Sequence, residues 1–135
     1  MSVLATISKN LSCELDFDKY NKDVMVDCHL KYKTNNISFE FDFCIINFNK
    51  VERFINTLKN KQTGFINFKY TMSPLNDCVD SFVLENNNLH ILKYLSIAGD
   101  VTRIKLQLTD NVLNDFIKLF KLILQERDYI ITHYI

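Results

Sequence analysis

The chain has 135 residues but only two glycines, Gly64 and Gly99. Two isolated glycines cannot build the Gly-rich loops that cradle phosphates, neither the dinucleotide fingerprint nor the P-loop. Net charge is also lacking: 16 basic residues balance 16 acidic ones. A general nucleic-acid or membrane-surface binder needs a field of one sign, so neither is expected. Long apolar runs are missing too, and no segment reaches the roughly 20 apolar residues that span a bilayer. The start, Met1-Ser2-Val3-Leu4-Ala5-Thr6-Ile7-Ser8, has no basic region and is broken at once by Lys9 and Asn10. It does not read as a signal peptide, so a cytoplasmic location is expected. The four cysteines, Cys13, Cys28, Cys44 and Cys78, form no C-x-x-C pair. Neighbours about fifteen residues apart lack metal-site spacing, so reduced structural thiols and no metal are expected.

What is present is an apolar fraction of 47%, with 13% aromatic residues. A chain of this length can bury roughly two thirds of its unfolded surface, enough for one core without staples. It is too apolar and too evenly charged to be disordered. Residues 1–135 are read as a single domain, with no linker and no internal repeat.

The first half alternates. Leu11, Cys13, Leu15 and Phe17 share one face, against Ser12, Glu14 and Asp16. Val24, Val26, Cys28, Leu30 and Tyr32 oppose Met25, Asp27, His29 and Lys31. Ile37, Phe39, Phe41, Phe43 and Ile45 oppose Ser38, Glu40, Asp42 and Cys44. Period two with β-branched and aromatic residues predicts half-buried strands over 11–17, 24–32 and 37–45. Thr34-Asn35-Asn36 predicts a hairpin between the last two. From Asn47 to Lys61 the period becomes helical, with Val51, Phe54, Ile55 and Leu58 in a stripe. Asn47 or Asn49 is its expected cap, and Gly64 is expected to supply the left-handed residue after its end.

Further strands are predicted at 65–71, 80–85, 89–97 and 101–108, with Ser73–Asp77 a loop and Gly99-Asp100 a hairpin turn. A second helix is predicted from Asp110 to Glu126, capped by Thr109 or Asp110. The apolar tail 129–135 reads as a final strand or an anchor on the core, or as a dimer contact. The expected fold class is therefore α+β: a mostly antiparallel sheet of about six to seven strands with two helices on one face.

Chemistry is sparse. Cys28 and His29 are neighbours on a strand, so they point to opposite faces and cannot act as a nucleophile–base pair. His29, between Asp27 and Lys31, reads as a solvated strand histidine. No carboxylate pair has recognisable acid–base spacing, so no enzyme activity is expected. Lys118, Lys121, Lys105 and Arg103 make only a modest basic spot with acidic residues interleaved, and direct nucleic-acid binding is not expected. The Phe39, Phe41 and Phe43 stripe reads as core. The stronger lead is the open sheet face. Glu14, Asp16, Asp27, Glu40 and Asp42 lie on the polar side of the early strands, while Lys69, Arg103 and Lys105 lie on that of the later ones. An acidic surface suits a basic protein partner and speeds its capture.

Two stretches carry a resemblance. Residues 38–60 read SFEFDFCIINFNKVERFINTLKN, an alternating strand leading into a short helix with F-I-x-x-L. Residues 89–124 read LHILKYLSIAGDVTRIKLQLTDNVLNDFIKLFKLIL, a hairpin with a central glycine leading into a helix. This pattern resembles the small immunity proteins encoded beside bacterial polymorphic toxins of the Rhs and wall-associated type, over about two thirds of the chain. The resemblance implies a cytoplasmic inhibitor without cofactor or metal. Its partner would be a cognate toxin domain, often a basic nuclease, neutralised by stoichiometric, non-catalytic binding. Many such inhibitors are clearly acidic, whereas this chain is neutral. The alternative is another small interaction protein, such as a phage-encoded inhibitor of host defence or a structural subunit.

Overall fold

The computed structural model describes residues 1–68, 80–94 and 101–134. The element order is β1 (Ser2–Thr6), β2 (Leu11–Tyr20), β3 (Asp23–Lys33), β4 (Ser38–Ile45), α1 (Phe48–Lys59), β5 (Gly64–Phe68), β6 (Asp80–Glu85), β7 (Asn88–Tyr94), β8 (Val101–Gln107) and α2 (Asp110–Tyr134). Four strands followed by a helix thus occur twice. That repetition of elements has no counterpart in the sequence, which reads as non-repetitive.

The fold is α+β and antiparallel, as expected, but the single sheet of six to seven strands is corrected. Among the described residues, eight strands form two four-stranded sheets, ordered β1-β2-β3-β4 and β5-β6-β7-β8. Alternation reports which face a strand buries, not which strand it pairs with. Here α1 intervenes after β4, and β5 pairs with β6 instead. β4 and β5 meet through rings, with Phe43 and Phe68 centroids 4.6 Å apart. One apolar cluster runs through both sheets and both helices. Phe82 of β6 is its centre. It is fully buried and lies 5.3, 5.5 and 5.2 Å from the rings of Phe41, Phe43 and Phe68, and 6.0 and 5.7 Å from those of Phe116 and Phe120. The phenylalanine stripe of β4 is therefore core. A polar tie joins the sheets as well. Lys93 Nζ lies 2.7 Å from buried Asp80, donates to the Asp42 carbonyl at 3.1 Å and sits 5.4 Å from the Phe41 ring centre.

Turn chemistry follows the asparagines. Asn86 and Asn87 both take positive φ, 52° and 62°, which a two-residue hairpin turn of the right twist requires. Asn21, with φ 54°, turns β2 into β3. At α1, Asn47 is the cap and accepts from the Asn49 N–H at 3.1 Å. The helix does not end through Gly64. Lys61 takes the left-handed conformation, φ 51°, while the Lys61 N–H donates to Leu58 O and the Gln62 N–H to Thr57 O. Those two bonds close a Schellman motif with a lysine where glycine is usual. Gly64 serves a different need. A Cβ there would meet Thr57 Cγ2 at 2.7 Å, so β5 leaves α1 too closely for any side chain. For α2, Thr109 is the cap, its Oγ1 accepting from the Val112 N–H at 3.3 Å.

Two further expectations change. β1 was not foreseen, and the tail is not a strand: α2 continues to Tyr134. Ile130 is buried two turns beyond Ile123, and Arg127 reaches Asp23 at 2.9 Å and covers the Phe48 ring at 4.8 Å. These contacts override the strand preference of Tyr129-Ile130-Ile131-Thr132. Residues 69–71 and 95–97 of two predicted strands, the Ser73–Asp77 loop, the Gly99-Asp100 turn, Lys69 and Cys78 lie outside the described residues. No described helix is long and apolar enough to cross a membrane.

Two stability outcomes follow. Phe82→Ala removes the ring that both sheets and α2 share, and should cost about 3–5 kcal/mol in urea unfolding. Lys61→Gly relieves a left-handed lysine and should gain about 0.5–1 kcal/mol, read in the same assay.

Candidate partner-binding face

The first sheet buries one face, completely in its two central strands. Leu11, Cys13, Leu15 and Phe17 of β2, and Val24, Val26, Cys28, Leu30 and Tyr32 of β3, are all in the core. Period two then forces the intervening residues outward. Register, which alternation alone does not give, sets their neighbours. Across the sheet one row is Ser2, Asp16, Asp27, Cys44; the next is Leu4, Glu14, His29, Asp42; the third is Thr6, Ser12, Lys31, Glu40. All five carboxylates singled out from the sequence, Glu14, Asp16, Asp27, Glu40 and Asp42, are exposed on this one outer face. Asp18 is exposed there too, two residues along β2 from Asp16, and could have been added by extending the alternation past Phe17. A depression of about 690 Å³ opens between them, walled by Glu14, Asp16, Asp27, His29 and Asp42.

His29 is the residue that sequence reading missed. It is not simply solvated. Nδ1 is hydrogen-bonded to Asp42 Oδ1, and Nε2 lies 3.5 Å from Glu40 Oε1. The Asp42 hydrogen bond, and then the nearby charges of Asp42 and Glu40, raise its pKa above the usual 6.5, against a smaller opposing effect of burial. Both ring nitrogens face carboxylates, which favours the imidazolium and leaves neither nitrogen free to take a proton from a substrate. Lys31 lies 3.7 Å from Glu40. Asp16 accepts from Ser2 Oγ at 3.2 Å and lies 3.5 Å from the Met1 amino group. Glu14 and Asp27 have no cation within 4 Å among the described residues. Asp16 and Asp27 face each other directly across β2 and β3. Like charges at such positions repel, so this row destabilises the sheet.

The thiols next to this face do not add a nucleophile. Cys28 points inward, and burial pushes its pKa well up. Cys44 lies in the outward register opposite Asp27 yet is covered. Burial, then the Asp27 and Asp18 charges, push it up to about 12. Both are neutral thiols at pH 7, and only a thiolate attacks. Among the described residues no group of three His, Cys, Asp or Glu side chains could hold a metal ion.

The basic residues are elsewhere. Arg103 and Lys105 are exposed on β8, the edge of the other sheet. Lys118 is used in packing: it donates to Ile7 O at 3.1 Å, beside an Asp115–Ser8 hydrogen bond of 2.9 Å that ties α2 to the β1–β2 turn. The outer face of β1–β4 thus carries six carboxylates against Lys31, Lys33 and His29, on a chain with no net charge. Such a surface can attract and orient cationic groups.

No family model, curated protein or solved structure matches this chain.

The His29 arrangement has a pH signature. A raised folded pKa means that the imidazolium stabilises the fold fully below about pH 6.5 and that this support fades as pH rises through the raised value. In an NMR titration His29 should titrate above 6.5, and Asp42→Asn should bring it back down. A His29 midpoint at or below 6.5 in the unaltered protein contradicts the arrangement.

Proposed function

We propose that this chain is an immunity protein that binds a cognate bacterial toxin domain and neutralises it by stoichiometric, non-catalytic inhibition. The observation that carries the reading is the acidic outer face of β1–β4. Glu14, Asp16, Asp27, Glu40 and Asp42 project from one rigid sheet, around a depression deep enough to receive side chains of a partner. A sheet face positions charges better than a loop does, because the buried side of each strand fixes its register.

Of these five, Glu14 and Asp27 have no cation within 4 Å among the described residues, which leaves them available to lysine or arginine groups. Complementary fields raise the rate of encounter, and a buried charged pair then slows release. A basic nuclease domain is the partner class that fits best, since its cleft already binds polyanions. The pattern resemblance to immunity proteins points the same way. The repulsion between Asp16 and Asp27 also fits a binding role, because residues kept for a partner often cost the free protein stability.

The test begins with the neighbouring gene. The C-terminal domain encoded directly upstream is expressed in a test host with and without this chain. Killing that this chain reverses, with a one-to-one complex and no turnover of the toxin, is the expected outcome. A harmless upstream product, or no rescue, removes the immunity reading. A second measurement locates the surface. Glu14→Lys with Asp27→Lys should weaken the complex by at least roughly a hundredfold and abolish rescue. The single Asp27→Lys change should leave the free protein slightly more stable, by about 0.5 kcal/mol, because it removes a facing pair of carboxylates. Unchanged affinity in the double variant shows that another surface binds the toxin.

A further inference from the structure

The first sheet ends on a strand whose outer edge is open. In β1 the Met1–Phe17 pair exchanges both backbone bonds, at 2.8 and 2.9 Å, and the Ile7 N–H donates to Leu11 O at 2.9 Å. Antiparallel ladders alternate, so Val3 and Ala5, opposite Leu15 and Cys13, also turn their N–H and C=O groups toward β2. Ser2, Leu4 and Thr6 therefore turn theirs away from it. Among the described residues, no group bonds to those backbone atoms. Their side chains are exposed as well, and Leu4, at 69%, is the most exposed large apolar side chain of the described residues.

The other strand edges are guarded. Proteins usually protect free edges with charge, proline or cover. On β4 the edge carries Glu40 and Asp42, and Lys93 already occupies the Asp42 carbonyl. Arg103 and Lys105 are on β8. β5 lies against α1 and β4. β1, with the sequence Ser-Val-Leu-Ala-Thr, has no charge and no proline, and among the described residues nothing covers its outer edge.

We propose that β1 pairs antiparallel with β1 of a second copy, about a two-fold axis at Leu4, to join the two outer sheets into one of eight strands. Centring on Leu4 sets Ser2 opposite Thr6 of the other copy, and Val3 opposite Ala5. Every backbone group left free by β2 is then used, in about six hydrogen bonds. The inward side chains of Val3 and Ala5 continue the buried face, and the two exposed Leu4 side chains meet each other. Strand chemistry favours a second copy over an unrelated strand because self-pairing here opposes no like charges. The self-pairing of β8, by contrast, would bring Arg103 and Lys105 together. The acidic faces do not forbid the pairing. Glu14 and its counterpart would stand three strand spacings apart, about 14 Å, beyond the roughly 8 Å screening length at physiological salt. A five-residue strand pair buries little area, so the dimer is a reversible one. Because the contact is isologous, it closes at two copies. Leu4 also walls the acidic depression, so the dimer is tested on the chain alone, with no toxin domain present.

Sedimentation velocity of the full chain across a dilution series tests this. The expected result is a monomer–dimer equilibrium. Leu4→Lys should weaken it roughly tenfold or more, since two lysines would oppose each other across the axis. Circular dichroism should show an unaltered fold, because Leu4 is already solvent-facing. An equal mixture of Leu4→Lys and Leu4→Glu should restore the dimer. A chain that stays monomeric up to millimolar concentration overturns the proposal. So does a dimer unaffected by Leu4→Lys, or a mixture that fails to dimerise.

Discussion

The packing around Phe82 is the constraint on which the two halves of this molecule depend. Among the described residues its two sheets share no backbone ladder, so side chains hold them in register with each other. A four-stranded sheet with one apolar face is stable only when that face is covered. Phe82 brings rings from β4, β5 and α2 to within 6.0 Å of its own. Edge-to-face geometry at several of these contacts adds a directional preference to plain burial. The Asp80–Lys93 pair and its link to the Asp42 carbonyl lie at the margin of the same ring cluster. A lysine that satisfies a buried carboxylate and a β4 carbonyl together costs less to desolvate than one paired with either alone.

That arrangement explains why some features were legible in the sequence and others were not. β2, β3 and β4 each have one wet and one buried face, and their alternation states both. The sheet's outer carboxylates could therefore be assigned to a common face from spacing alone. In this sheet only the β3–β4 hairpin could be assigned, from its Thr34-Asn35-Asn36 turn; register and the other pairings could not, because period two is silent on which residue or strand lies beside which. The division into two sheets and the Asp42–His29 contact both depend on that missing information. β1 was illegible for a local reason: it places Leu4 outward and Ala5 inward, which inverts the usual size contrast. The end of α2 was misleading for the opposite reason. Its β-branched and aromatic residues favour a strand, but burial of Ile130 and the reach of Arg127 to Asp23 and Phe48 hold it helical.

The charge balance of the whole chain is a poor guide to its surface. Zero net charge argues against a general nucleic-acid or membrane-surface binder. Folding then segregates the charges, placing carboxylates on the outer face of β1–β4 and Arg103 and Lys105 on β8. What a partner meets is the local field, which reaches only about 8–10 Å through physiological salt. Within that distance of Asp27 the surface is acidic, whatever the total. His29 moderates this without cancelling it, because it shares its proton between Asp42 and Glu40 and leaves Glu14 and Asp27 uncompensated.

The same segregation governs how the molecule can meet its own copies. Two acidic faces brought together would oppose carboxylates across a few ångströms, so stacking of β1–β4 sheets face to face is disfavoured at low salt. Edge to edge, those carboxylates are held apart by the width of two uncharged strands. Charge on the face thus removes one mode of self-association while the bare edge of β1 leaves another open. A charged residue at position 4 would have closed both, at little cost to the core, since Leu4 is 69% exposed. The uncharged edge thus sets Leu4 where the open backbone of β1 meets the rim of the acidic depression, within reach of a partner on either.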